Sequence, residues 1–546
     1  MQSLTIDSIA KLEEAGHRLF QLLDEGDASG ALEFAKSLRA DPGQELPVEH
    51  FLGCAYVEVG GQLKSVDLVD KGVRILSELD PKRSATISYN LANAKSQLWK
   101  IAVNQNGLST AWLEMRCQLR DSRKLYESVA NDDNADIEQR LKAFTDWGNS
   151  YDNQGRYLDA LDCYDQALRL DPSYGMALGN RGMALFFAAP LMGEHQSHIL
   201  LEAATNLDAA IENEKSVLNS GGRQALEVFE KCRAYISTPS GTPLKPKNNR
   251  QTLSDSHLNW CLNNRFFLHI SPDCIREDSD VLDPLSFREI SFSLKEPRIS
   301  PDGEPLKAAK EILGAFNAIK QDYITARYLT WLTSEIPIPF QDHVQSITKR
   351  AFFWDTLDYA SWGVEPGIAT IALKAAVDVL DKVAVFVHLY LRSNRNVRSV
   401  NFATLPYKNN KGTELEPALA NALRTPAGNW NSGLIALIDL SSELEEKSQS
   451  HLRKFLQYRH AATHRFFVIH SEGAPVSSEW SEHVSWSDAT KDLLCLLKVA
   501  RRAVLYLTQM IHLHEADIKP RCSGTSYPMT IPFPAYRSEL DLIDID

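Results

Sequence analysis

One stretch limits what this chain can fold into more than any other: LKAFTDWGNSYDNQGRYLDALDCYDQALRLDPSY, Leu141 to Tyr174. Small residues (Gly148, Ala160, Ala167) recur where two helices have to approach closely, and bulky ones fill the gaps between them. Pro172 ends the pair, because proline cannot continue a helix. Such a unit cannot bury its own apolar face, so neighbours must stack on it.

The stretch resembles a tetratricopeptide repeat. Phe144 stands at the first aromatic position, Trp147-Gly148 at the Leu-Gly pair and Tyr151 at the aromatic three further on. Ala160, Tyr164, Ala167 and Pro172 match the second helix and its terminating proline. Weaker units flank it. Leu52-Gly53 with Tyr56 and a later Asp80-Pro81 looks like an earlier repeat, and YNLANA, Tyr89 to Ala94, resembles the opening of the next. Gly182 in RGMALFF opens one beyond, interrupted around Gly193 to His198 before a second helix near Ala203 to Ile211. Leu22 to Pro42 reads as a weak first unit. The resemblance covers residues 10–215 and implies a solenoid whose concave groove holds a peptide or protein segment; the alternative is an irregular helical bundle.

At 546 residues the chain is too long for one core. Its net charge of −13 argues against a general nucleic-acid coat, which needs a basic surface, but leaves room for a local cluster of cations. The eight cysteines form no C-x-x-C pair and no signal peptide is seen, so a cytoplasmic protein with reduced thiols is expected. The longest apolar stretch, Gly367 to Leu391, carries Lys374, Asp378, Asp381 and Lys382, which suits a buried helix and not a bilayer span. Ser237 to Ser254, rich in proline and polar residues, reads as a linker after a short helix around Arg223 to Tyr235.

Beyond the linker, periodic segments predict helices at Pro305 to Ser334, His343 to Tyr359, Gly367 to Leu391, Ser441 to Ile469 and Asp492 to His514, with a loop-rich interval from Asp278 to Gly303. Within Ser441 to Ile469, Leu452, Phe455 and Leu456 form an apolar stripe that Arg459 continues. An arginine in line with a core stripe is costly unless it meets a partner, a cleft or an anion. At 100° per residue His464 lies about 140° around from Arg459, so both can border one groove, and His460 is one turn before His464.

This R-x4-H arrangement resembles the signature of the HEPN superfamily (higher eukaryotes and prokaryotes nucleotide-binding domain). Spacing alone is weak: 31 arginines and 15 histidines give about one such pair by chance. A second pair exists, Arg465 with His470, but four bulky apolar residues separate its members, as in a core segment. RHAATH instead has a polar residue after the arginine and then small ones, which is the family's habit. NWCLNNRFFL (Asn259 to Leu268) and IKQDYITARYL (Ile319 to Leu329) look like opening segments of the HEPN subfamily fused to tetratricopeptide repeats.

The resemblance implies a metal-independent endoribonuclease acting as a homodimer through this domain, with Arg459 and His464 catalytic, His460 and Thr463 supporting, and no metal or other cofactor. Such fusions point to microbial defence or a toxin-type effector. Bland readings compete with this. Arg459 can be a structural ion-pair partner, for instance of Glu443 to Glu446. His464 can be a capping histidine, and His460 with His464 a metal pair, although no H-E-x-x-H accompanies them. No glycine-rich phosphate loop, G-x-S-x-G elbow or kinase signature occurs. The expected architecture is all-α: a tetratricopeptide solenoid (1–218), a helix and linker (219–254) and a HEPN-like helical domain (255–546). RNA is the expected substrate, with a peptide or protein in the solenoid groove and no membrane association. The rival is a non-catalytic scaffold that binds protein or nucleotide.

Overall fold

Serine or aspartate side chains open five helices of the first unit, each accepting a main-chain N–H that the helix itself leaves unbonded. Ser8 caps α1 (Ile9–Asp24), Asp27 caps α2 (Ala28–Ser37), and Ser65 caps α4 (Val66–Glu78), which follows α3 (Glu45–Gln62). Ser84 caps α5 (Ala85–Ala130) and Asp136 caps α6 (Ile137–Asp152). Next come α7 (Tyr157–Leu170), α8 (Gly175–Ala188), α9 (Gln196–Glu212) and α10 (Glu214–Tyr235). The structure is a computed structural model. It describes residues 5–79, 84–236, 255–271, 283–285, 305–335, 353–354, 356–409, 412–445, 448 and 450–518. The fold is all-α, with two short parallel strand pairs, and the chain forms two compact units, mainly residues 1–242 and 243–546.

The first unit is a run of paired helices. Its first pair starts at Ile9 and not at Leu22, because Ser8 sets the cap; β1 (Thr5–Ile6) then pairs with β2 (Arg39–Ala40) after α2. The Leu52-Gly53 unit is the pair α3 and α4, where a Cβ on Gly53 would lie 2.9 Å from Leu76; its Asp80-Pro81 falls outside the described residues. Helix α5 is a hairpin. Gly107, at φ 77°, takes a conformation that other residues reach only at a cost, and the chain reverses there. Trp99 then meets Trp112 and the Tyr126 hydroxyl donates to Asn93 at 2.6 Å, so YNLANA lies on the first leg.

The clearest repeat is the pair α6 and α7. A Cβ on Gly148 would come within 2.5 Å of the Tyr164 ring, while Ala160 and Ala167 are fully buried, so the contact depends on the small residues. Tyr151 lies under two guanidinium groups, Arg123 at 4.3 Å and Arg156 at 4.5 Å, and Arg156 is held by a buried two-bond pair with Asp159. At Gly182 a Cβ would meet Leu207 at 2.7 Å, which brings α8 against α9. These pairs enclose a groove of about 770 Å³. Asp24, Glu58, Asp146 and Asp152 line it against a single lysine, Lys100. Burial pushes the Asp152 carboxyl up to about 6.

In the second unit α11 (Ser256–Asn263) precedes α12 (Pro305–Glu335), α13 (Val364–Tyr390), α14 (Pro417–Ala422), α15 (Ser432–Ser442), α16 (Lys454–His464) and α17 (Trp486–Ile518). Helices α12, α13 and α17 pack together and α15 lies on α17. The last contact is so close that a Cβ on Gly433 would stand 2.2 Å from the Met510 main-chain nitrogen. The RFFL segment after α11 is stapled to the bundle: the Tyr323 hydroxyl donates to the Phe266 carbonyl at 2.6 Å and Arg501 to that of Phe267 at 2.7 Å. No helix among the described residues is long and apolar enough to cross a membrane.

One expected helix is overturned. Ser441 to Ile469 is not continuous: α15 ends at Ser442, a 3-10 turn covers His451–Arg453, α16 runs to His464, and β3 (Phe466–His470) follows. Arg465 is extended (φ −133°, ψ −151°), and the apolar run FFVIH pairs in parallel with β4 (Ser481–Ser485). A short apolar run satisfies strand and helix alike, and here the strand partner decides. The linker from Ser237 to Ser254 and nearly all of 278–303 and 343–355 lie outside the described residues; 356–359 is not helical.

Candidate active site on helix α16

Helix α16 is fixed by one face. Phe455, Tyr458 and Ala461 are its buried residues, in line with the buried Leu452 of the preceding 3-10 turn. The Tyr458 hydroxyl donates to Asp492 at 3.0 Å and Lys454 pairs with the same carboxylate at 2.5 Å, which pins α16 to α17. Burial, reinforced by Asp492, holds the Tyr458 hydroxyl above the usual phenol range, so it stays a donor. The buried line therefore passes through Tyr458 and not, as expected, through Leu456 and Arg459. Those two flank it.

That flank opens on a cleft of about 200 Å³ lined by Asn401, Leu456, Arg459, His460, Thr463 and His464. All four residues singled out on this helix border it. Their spacing of one, three and four places puts them on adjoining turns of one face. Thr463 and His464 are exposed, and His464 is the last helical residue because the chain straightens at Arg465. The rings of His460 and His464 lie 5.3 Å apart.

Among the described residues, the partners of Arg459 are not Glu443–Glu445 but two aspartates of α13. Its Nη2 lies 2.9 Å from Asp381 Oδ2 and its Nε 3.9 Å from Asp378 Oδ1, both on α13. Asp381 also accepts the main-chain N–H of Phe402 at 2.8 Å, so one carboxylate ties the guanidinium to the turn that carries Asn401. Burial pushes the Asp381 carboxyl above the usual carboxylate range, against the opposing pull of Arg459. The arginine is still 40% exposed at its side chain, so it faces the cleft as well as the pair.

The second spacing, Arg465 and His470, is arranged differently. Arg465 donates to the Glu479 carbonyl at 3.0 Å, and His470 is fully buried at the end of β3. Neither lines the cleft.

Residues 304–514 match the LA2681-like HEPN family and residues 141–174 match the tetratricopeptide repeat. The chain joins a tetratricopeptide repeat to a HEPN-type domain. None of the curated proteins matches it. The HEPN match contains α12, α13, α16 and nearly all of α17, and with them Arg459, His464 and the acidic partners on α13. Of the two segments that resembled the subfamily, Ile319 to Leu329 falls inside the match and Asn259 to Leu268 ahead of it.

Asp378, Asp381 and Asn401 escaped the sequence reading of the HEPN cleft. A signal for the first two was there: carboxylates three apart in an apolar helix share a face and need a cation. Nothing local marked Asn401, which reaches the cleft from a turn more than fifty residues before the motif.

Proposed function

We propose that this protein is a metal-independent endoribonuclease, with Arg459 and His464 as its catalytic pair and His460 and Thr463 in support. The observation that carries the reading is the convergence of these four side chains on one cleft, with Arg459 oriented from behind by Asp381. Internal cleavage of RNA needs a proton taken from a 2′-hydroxyl and another delivered to the departing 5′-oxygen. Imidazole is the side chain suited to both transfers near neutral pH. A guanidinium held on one edge by a carboxylate presents its remaining N–H groups to a phosphate and stabilises charge as it develops.

A cleft of about 200 Å³ falls below the roughly 300–1,000 Å³ of pockets that enclose whole small ligands. It accommodates a phosphate and its immediate neighbours. Two copies facing each other would double the cations and the imidazoles, which favours a homodimer through the HEPN domain. The acid-lined solenoid groove suits a peptide or protein segment carrying basic side chains, whose capture would recruit or regulate the nuclease. We place such an enzyme in the cytoplasm, as a defence or toxin-type effector, with residues 1–218 as the sensing part and 255–546 as the cutting part.

The test is incubation of purified protein with tRNA or mRNA in EDTA. Cleavage with 2′,3′-cyclic phosphate ends is the expected result, and strict dependence on added Mg²⁺ or Mn²⁺ would refute the mechanism. Mixing Arg459→Ala with His464→Ala protein should recover part of the activity if each site draws on both copies.

The ion pair of Arg459 with Asp381 favours one rival: a non-catalytic scaffold in which the arginine only braces α16 on α13. Under that reading no RNA is cut, and Arg459→Ala lowers the melting temperature while His464→Ala changes nothing.

A further inference from the structure

Three side chains from separate stretches converge where β3 ends. His470 closes β3, His483 stands in β4, and Asp358 lies two residues before Ala360, which bridges to His470. One ligand-capable atom from each lies within 4.8 Å of the other two. It is the one such group of three among the described residues, and it does not include His460 or His464.

The hydrogen bonds fix how the rings face. His470 Nδ1 lies 2.9 Å from the Asp358 main-chain carbonyl, which can only accept, so Nδ1 carries the proton and Nε2 a lone pair. That lone pair points at His483 Nδ1, 2.8 Å away, while His483 Nε2 is 2.7 Å from the Ser481 hydroxyl. Each ring thus has its outer nitrogen hydrogen-bonded to an oxygen, while the two inner nitrogens share one proton, donated by His483 Nδ1; a metal ion would displace it, leaving Ser481 to accept from His483 Nε2. Asp358 completes the set. Its Oδ1 accepts from Thr356 Oγ1 and the Ala360 N–H, whereas Oδ2 makes no hydrogen bond among the described residues. Leu357 and Tyr359, on either side, both have left-handed backbone (φ 58° and 62°), a costly conformation kept where the surroundings demand a particular side-chain position.

We propose that Asp358, His470 and His483 bind a single divalent transition-metal ion of the zinc class, with water in the fourth position. Two imidazoles and a carboxylate are a zinc donor set. Tetrahedral bonds of about 2.0–2.1 Å separate ligand nitrogens by roughly 3.3 Å, so the two rings part by about half an ångström to admit the ion. His470 is fully buried and the other two are partly exposed, which leaves a path to solvent. The ion ties the 356–361 turn, β3 and β4 together and takes no part in the cleft on α16. This site stands or falls apart from the nuclease reading.

The full-length protein, stripped with chelator, should bind one Zn²⁺ per chain in calorimetry, and Co²⁺ in its place should give the visible absorption of a four-coordinate site. Asp358→Asn and His483→Ala should each weaken zinc binding about tenfold or more, with far-UV circular dichroism unchanged, and His460→Ala/His464→Ala should bind as the parent does. If His483→Ala fails to fold, the near-isosteric Asp358→Asn carries the comparison. The absence of saturable zinc binding, or binding that Asp358→Asn leaves intact, would overturn the site. So would loss of binding in the His460/His464 variant.

Discussion

The groove of the first unit and the cleft on α16 solve opposite electrostatic problems. The groove collects four carboxylates around one lysine, and among the described residues no cation offsets the effect of burial on Asp152. The cleft collects cationic and ionisable nitrogens, and its one permanent cation is already answered by Asp381 from behind. An unanswered charge in a broad groove suits a partner that arrives carrying the opposite sign. A charge held on one side in a narrow cleft is fixed in direction before any ligand comes, which is what chemistry requires.

The sharpest break of this contrast is at the cleft. Arg459→Ala and His464→Ala should each lower RNA cleavage about 10²–10⁴-fold in a gel assay, with the melting profile of the His464 variant unchanged. Retained cleavage in either would return the cleft to the same class as the groove, a place for binding alone.

Packing comes next. Gly433→Ala sets a methyl against the α17 main chain, which cannot yield, and should cost about 3 kcal/mol in denaturant unfolding of the second unit. Gly148→Ala meets the Tyr164 ring, which can shift slightly, and should cost about 1–2 kcal/mol in the first unit. Equal losses would mean that the two units tolerate crowding alike.

The smallest effect belongs to Asp152. Its carboxyl titrates at about 6 in the folded chain against 3.8 ordinarily, so it holds its proton more tightly folded than unfolded. That contribution is complete below pH 3.8 and is lost as the pH climbs to about 6. Asp152→Asn, which cannot ionise, should therefore be more stable than the parent at pH 7, by about 1 kcal/mol, and gain little at pH 4. A variant that loses stability at pH 7 would show that the carboxylate already has a cation, and the contrast with Arg459 would go.

The two regions also differ in how far the sequence disclosed them. Gly148, Ala160, Ala167 and Pro172 are spaced by the helix pair itself, so the repeat could be recognised within 34 residues. On α16 the spacing of Arg459, His460, Thr463 and His464 was equally local, and their common border with one cleft followed from it. What failed was the length of the helix. Phe466 to Ile469 continues the apolar rhythm, and only pairing with Ser481–Ser485, fifteen residues on in register, turns it into a strand. Asn401 lines the cleft and Asp381 backs its arginine, both through tertiary contact, and no pattern around them named Arg459 as the partner. Charges in an apolar helix reveal that a cost must be met, not by whom.

Because His464 closes α16 and β3 begins two residues later, the ladder between β3 and β4 acts as a gauge for the imidazole. Side chains on a strand alternate faces with a period of two, so a slip of one position would turn every residue of β3 over. Phe467 and Ile469 would exchange sides with Phe466 and Val468, and the single residue between strand and helix leaves no slack to absorb the rotation. The direction in which His464 points is thus metered by a five-residue ladder of which it is not a member.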